Sequence, residues 1–219
     1  MKKSMAMVVL VAAGMSGVIV AGCNIVAPAY LLVKGPPKIE AQHTLEEPRP
    51  TIVFIDDRLP VLGRRPLRNM IAEAAQSALL EKGVLVNMID YRAGVAIADR
   101  ETPGQPTDIV TLAKTAQAEV VIFATVDSFS LTPDRQNLLP SAVLRVKVLD
   151  VSKDSPRVWP PEAEGFPLVV QPSQRATPLP TTPTDIMRAE NAFAGQVGLA
   201  IAQLFYSHEA REPVNAAGK

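Results

Sequence analysis

The sequence predicts an α/β (α+β) domain with a mixed sheet of about four to five strands and three main helices. Three observations predict it. Short β-rich apolar runs alternate with stretches whose apolar residues recur at helical spacing. The first strand–helix–strand set, from Thr51 to Ile89, has the size of a βαβ unit. A later run, Ser141–Val151, alternates apolar and polar residues as a half-exposed antiparallel strand does.

Thr51–Ile55 is a short apolar run between prolines and Asp56-Asp57, which reads as a buried strand. Pro66 suits the first turn of a helix, and Leu67, Met70, Ile71, Ala74 and Ala78 give that helix one apolar stripe. Lys82-Gly83 supplies a cation and a C′ glycine at its end. Val84–Ile89 reads as a second strand and Arg92–Pro106 as a loop. Thr107 or Asp108 caps a helix that places Ile109, Leu112, Ala113 and Ala116 on one face. Glu119–Val126 is the third strand and Ser128–Pro140 a polar turn region. Ser141–Val151 then returns as a hairpin partner, with Ala142, Leu144, Val146 and Val148 on one side and Arg145 and Lys147 on the other.

Residues 153–183 are rich in proline, which forbids a helix and allows short strands only, such as Phe166–Gln171 at a sheet edge. Thr184 or Asp185 caps a closing helix whose stripe is Phe193, Val197, Ile201, Leu204 and Phe205. Gly195 and Gly198 suggest close packing of that helix on the sheet. The domain is therefore placed at 51–207, with 153–183 as a Pro-rich insertion and 208–219 as a disordered tail.

The chain begins differently. Lys2 and Lys3 precede an apolar stretch from Met5 to Val20, the layout of an export signal over residues 1–22. Val20, Ala21 and Gly22 directly before Cys23 resemble a bacterial lipobox. The resemblance implies cleavage before Cys23 and lipid on its sulfur and new amino terminus. The alternative is one membrane-spanning helix over Met5–Val33, since about 20 apolar residues span a bilayer. Pro28 would break it, and the chain's single cysteine stands where lipidation needs it. Residues 23–50, broken by Pro28, Pro36, Pro37, Pro48 and Pro50, read as a lipid-anchored tether.

Composition narrows the function classes. The 22 basic and 22 acidic residues leave a near-neutral chain, with a mature charge near −2 once Lys2 and Lys3 are removed. No polybasic patch marks a nucleic-acid partner. His43 and His208 stand far apart with no second cysteine near either, so a His/Cys zinc site is not expected. Neither a Gly-x-Ser-x-Gly elbow nor a Gly-x-x-x-x-Gly-Lys loop occurs. No cofactor or metal is expected.

The order of elements resembles the α/β domain of the TolB N-terminal, CsgG and LpoB-like family. Thr51–Asp57, Ser77–Val86, Leu112–Val126 and Leu144–Val151 carry the resemblance, over roughly 51–151 and 184–206; the Pro-rich insertion departs from it. It implies envelope assembly or regulation through protein contacts.

Two sites merit weighing. Asp56 and Asp57 end a strand, where an α/β fold can hold a metal-dependent hydrolase site with Glu101 or Asp127; the simpler reading is a solvated strand end before a turn. Trp159, inside Arg157–Pro161, is an interface anchor if exposed and a pin for the insertion if buried. The expected function is non-enzymatic: a lipid-anchored protein of the bacterial cell envelope facing the periplasm, binding another envelope protein. Asn24 leans the expected location towards the outer membrane. The alternatives are the metal-dependent hydrolase and a lipid or glycan carrier with a pocket beside the insertion.

Overall fold

The computed structural model describes residues 38–46, 48–57, 60–101, 107–132, 137–172, 177–178 and 180–210. The chain divides into two units, Met1–Ile39 with Glu209–Arg211, and Glu40–His208 with Glu212–Lys219. Of the first, only residues 38, 39, 209 and 210 are described. The second carries the fold, a mixed α/β arrangement of one five-stranded sheet and four helices among the described residues.

The strands are β1 (Thr51–Asp56), β2 (Val120–Ser130), β3 (Ser141–Asp150), β4 (Arg157–Trp159) and β5 (Phe166–Val170). β1 runs parallel to β2, in register from Thr51 opposite Val120 to Asp56 opposite Thr125. β3 is antiparallel to β2, as the sequence predicts, with a bulge between Val126 and Ser128. β4 and β5 follow one another along the far edge of β3, opposite Leu149–Val148 and Val146–Ala142 respectively. The insertion thus forms one interrupted edge strand. Pro167 within β5 offers no N–H, which suits a position at the margin of a sheet.

Helices α1 (Arg65–Glu81), α2 (Tyr91–Ala98), α3 (Ile109–Thr115) and α4 (Pro183–Gln203) cover the sheet in two layers. On one face Val53, Ile55, Ile122, Leu144 and Val146 pack with Leu67 and Ile71 of α1 and Phe193, Val197 and Ile201 of α4. On the other, Ile52, Phe54, Val121 and Leu149 pack with Leu112 and Ala113 of α3, and α2 adds Ala93 and Ile97. Helices on both sides bury Thr51–Ile55 throughout, which explains an unbroken apolar run where a one-sided strand would alternate. Each fully buried Leu or Ile contributes about 1.5–3 kcal/mol.

Local chemistry sets the helix ends. Gly83 at φ 64° closes α1 as a C′ residue: its N–H donates to the Leu80 carbonyl at 3.0 Å and the Val84 N–H to Leu79 at 2.9 Å. Asp108 caps α3, accepting from the Val110 and Thr111 N–H groups. Thr182 caps α4, in place of the expected Thr184 or Asp185; its Oγ1 accepts from the Asp185 N–H and donates to the Asp185 carboxylate.

Four further expectations are corrected. Val84–Ile89 is not a strand: it touches β1 through a single bridge, Met88 to Thr51, and Val86 is 69% exposed. The polypeptide passes the start of β1 and turns at Asp90 into α2, leaving no length for a ladder. The first part of Arg92–Pro106, read as loop, belongs to α2 (Tyr91–Ala98), one helix more than the three expected. Asp90 caps it, and Gly94 lets it approach β1, since a Cβ there would lie 3.0 Å from the Phe54 ring. Gly198 serves close helix–helix rather than helix–sheet packing: a Cβ would overlap the Ile71 carbonyl oxygen and come within 2.7 Å of the Ala74 Cβ, both on α1. Residues 40–50, read as tether, pack on the domain. Leu45 is in the core, and the Gln42 and His43 N–H groups donate to the Leu204 carbonyl.

Candidate functional site

The lipidation residue Cys23 and its motif Val20, Ala21 and Gly22 lie outside the described residues. Among those described, no helix is long and apolar enough to cross a membrane.

Of the two acids at the end of β1, Asp57 has a structural role. The Asp57 Oδ1 accepts from the Val61 and Leu62 N–H groups at 3.1 and 3.2 Å, closing the turn into α1. Burial pushes its carboxyl up, against those N–H groups and Arg68, which pull it down. Glu101 accepts from the Thr107 N–H, and Asp127, on the β2 bulge, pairs with Arg145 at 2.7 Å. No group of three or more His, Cys, Asp or Glu able to hold a metal occurs among the described residues. The structure does not gather Asp56, Asp57, Glu101 and Asp127 into one site.

Trp159 is half-buried and lies against the core, where β4 joins β3. Its ring stacks on Phe166 at 5.0 Å and on His43 at 5.6 Å, and meets Phe205 edge-on at 6.1 Å. It therefore ties the insertion, the turn after α4 and the segment before β1 together. His43, read as a tether residue, is fixed on this cluster. Burial lowers its affinity for a proton, and Glu46 opposes that.

A cleft of about 450 Å³ opens at the C-terminal end of β1. The turn Val61–Gly63 forms one wall, the end of β2 with Leu131 and Thr132 another, and Pro180 with Ile186 and Glu190 of α4 the third. Two short pairings hold the walls. Asn137 and Leu138 pair with Pro178 and Thr177, bringing the insertion to the loop after β2, and the Leu139 N–H donates to Leu131. Arg64 bonds Glu190 and Asn191, both at 2.7 Å, fixing α4 to the start of α1. The sequence offers a pocket beside the insertion without its residues, because the walls come from three separate segments spread between Val61 and Glu190.

Sequence reasoning also missed Arg49 and Asp150. Asp150 is 1% exposed and receives both terminal nitrogens of Arg49, with Ser152 and Lys153 adding further bonds. The pair holds the Asp150 carboxyl well below the usual carboxylate range and raises the guanidinium. No sequence signal links two residues 101 positions apart.

No family model matches the chain, and no curated protein does. Among solved structures it is similar to the PelC dodecamer from Paraburkholderia phytofirmans, at 11% identity and a TM-score of 0.37, over 76% of this chain and 95% of that one. It is also similar to the hypothetical protein CT253 from Chlamydia trachomatis, at 21% identity and a TM-score of 0.37, over 72% and 92%. Likenesses at these scores assign neither family nor function.

Proposed function

We propose that this is a lipid-anchored protein of the bacterial cell envelope, held in the membrane through Cys23 and facing the periplasm, whose α/β domain binds another envelope protein. One observation carries the reading: the single cysteine of the chain directly follows Val20-Ala21-Gly22, at the end of a basic and then apolar leader. The resemblance of residues 51–151 to the TolB, CsgG and LpoB-like domain points the same way. Of the two acids that the hydrolase alternative uses, Asp56 and Asp57, Asp57 is engaged by the Val61 and Leu62 N–H groups of the turn, which favours a binding role over chemistry. The near-neutral charge gives nucleic acid no purchase. Asn24 after the cysteine leans the anchor towards the outer membrane.

Crosslinking in intact envelopes tests the binding role. A photoreactive group at exposed Val169 or Met187 should trap one discrete envelope protein. Labelling confined to this chain and lipid would contradict the reading.

A further inference from the structure

The cleft at the end of β1 has the form of a ligand site, and we propose that it binds a single-chain amphiphile with an uncharged, hydroxylated head. This goes beyond protein contact and does not depend on the reading of Cys23. Pockets that enclose small molecules measure roughly 300–1,000 Å³ and combine apolar walls with a few polar groups. This cleft, at about 450 Å³, meets both conditions.

Its lining mixes two chemistries. Val61, Leu62, Phe129, Leu131, Pro180 and Ile186 supply apolar surface on all three walls. Ile186 remains 39% exposed, and a chain laid along it would remove that surface from water. Ser130 and Thr132 on the wall at the end of β2, and Glu190 on the α4 wall, interleave polar groups with the apolar ones. Glu190 is already neutralised by Arg64 at 2.7 Å, so no net charge faces the cleft from this pair. An ionic head would leave its own charge unpaired there, whereas hydroxyl groups can share hydrogen bonds with the Thr132 hydroxyl and the Glu190 carboxylate. The volume admits one small molecule and not the broad surface of a folded partner. A uniformly apolar ligand would desolvate the polar groups without return. An amphiphile matches both parts of the lining.

The test uses the full chain in lipid vesicles and dodecyl glucoside carrying a diazirine at its chain end. Photolabelling should be saturable, should fall on Phe129–Thr132 and Ile186–Glu190, and should be competed by unlabelled dodecyl glucoside. Ile186→Glu, at a partly exposed position, should weaken labelling by about tenfold, the equivalent of losing one apolar side-chain contact, with thermal unfolding unchanged. Leu131→Ser provides a second variant with the same expected loss. Diffuse, non-saturable labelling, labelling indifferent to both variants, or occupation of the cleft by an envelope protein that excludes the probe would each overturn the proposal.

Discussion

Arg49 grips Asp150 with two parallel hydrogen bonds, Nη1 to Oδ2 at 2.6 Å and Nη2 to Oδ1 at 2.7 Å. One residue precedes β1 and the other ends β3, so the pair fastens the segment before the first strand across the bottom of the sheet. Removing one partner of a buried pair costs about 3–5 kcal/mol, because the other charge is left unpaired. Arg49→Ala should fall at the low end, near 3 kcal/mol, because Lys153 still reaches the carboxylate at 3.1 Å. The folded carboxyl lies below its unfolded value, so the pair's contribution is full above the ordinary carboxylate range and fades as pH falls through it. Urea midpoints at neutral pH and near pH 3 should show the gap between the wild type and Arg49→Ala shrinking in acid.

His43 titrates in a different window. Its affinity for protons in the folded protein lies below that of an ordinary imidazole, near 6.5, with burial as the main cause. The unfolded chain then binds more protons just below that value, so stability falls as pH drops through it. His43→Gln should flatten the dependence of the melting temperature on pH between neutrality and about pH 5, while leaving the Asp150 effect at lower pH in place. An unaltered slope would remove His43 from the account.

Gly198 lets α4 lie against α1. Gly198→Ala places a methyl on the Ile71 carbonyl oxygen, and overpacking of this kind costs roughly 1–3 kcal/mol. The denaturant midpoint should fall with its slope unchanged.

Asp57 separates turn chemistry from metal chemistry. Asp57→Ala should lose about 1–2 kcal/mol for two hydrogen bonds to the Val61 and Leu62 N–H groups. Calorimetric titration with Mn²⁺ should be the same before and after. Micromolar binding that Asp57→Ala abolishes would favour the metal-dependent hydrolase instead.

The fold was legible wherever local pattern and tertiary environment agree. The alternation of Ala142, Leu144, Val146 and Val148 marks β3, and the stripe of Phe193, Val197 and Ile201 marks α4, with Leu204 and Phe205 continuing it into the turn beyond; all of these residues are buried. Reading failed where packing overrides propensity. α2 is short and contains Gly94, a poor helix former, yet forms because that glycine permits contact with Phe54. Val84–Ile89 has the composition of a strand and lacks a neighbour to pair with beyond Thr51. The cleft and the Arg49–Asp150 pair depend on long-range assembly, which no local pattern encodes.

Metabolic labelling with a fatty acid, applied to the wild type and to Cys23→Ser, tests the anchor that underlies the whole reading. The wild type should incorporate label, lose residues 1–22 and sediment with membranes. Cys23→Ser should take up no label and persist as the uncleaved precursor. A Cys23→Ser protein that matures normally and stays in the membrane would contradict the account.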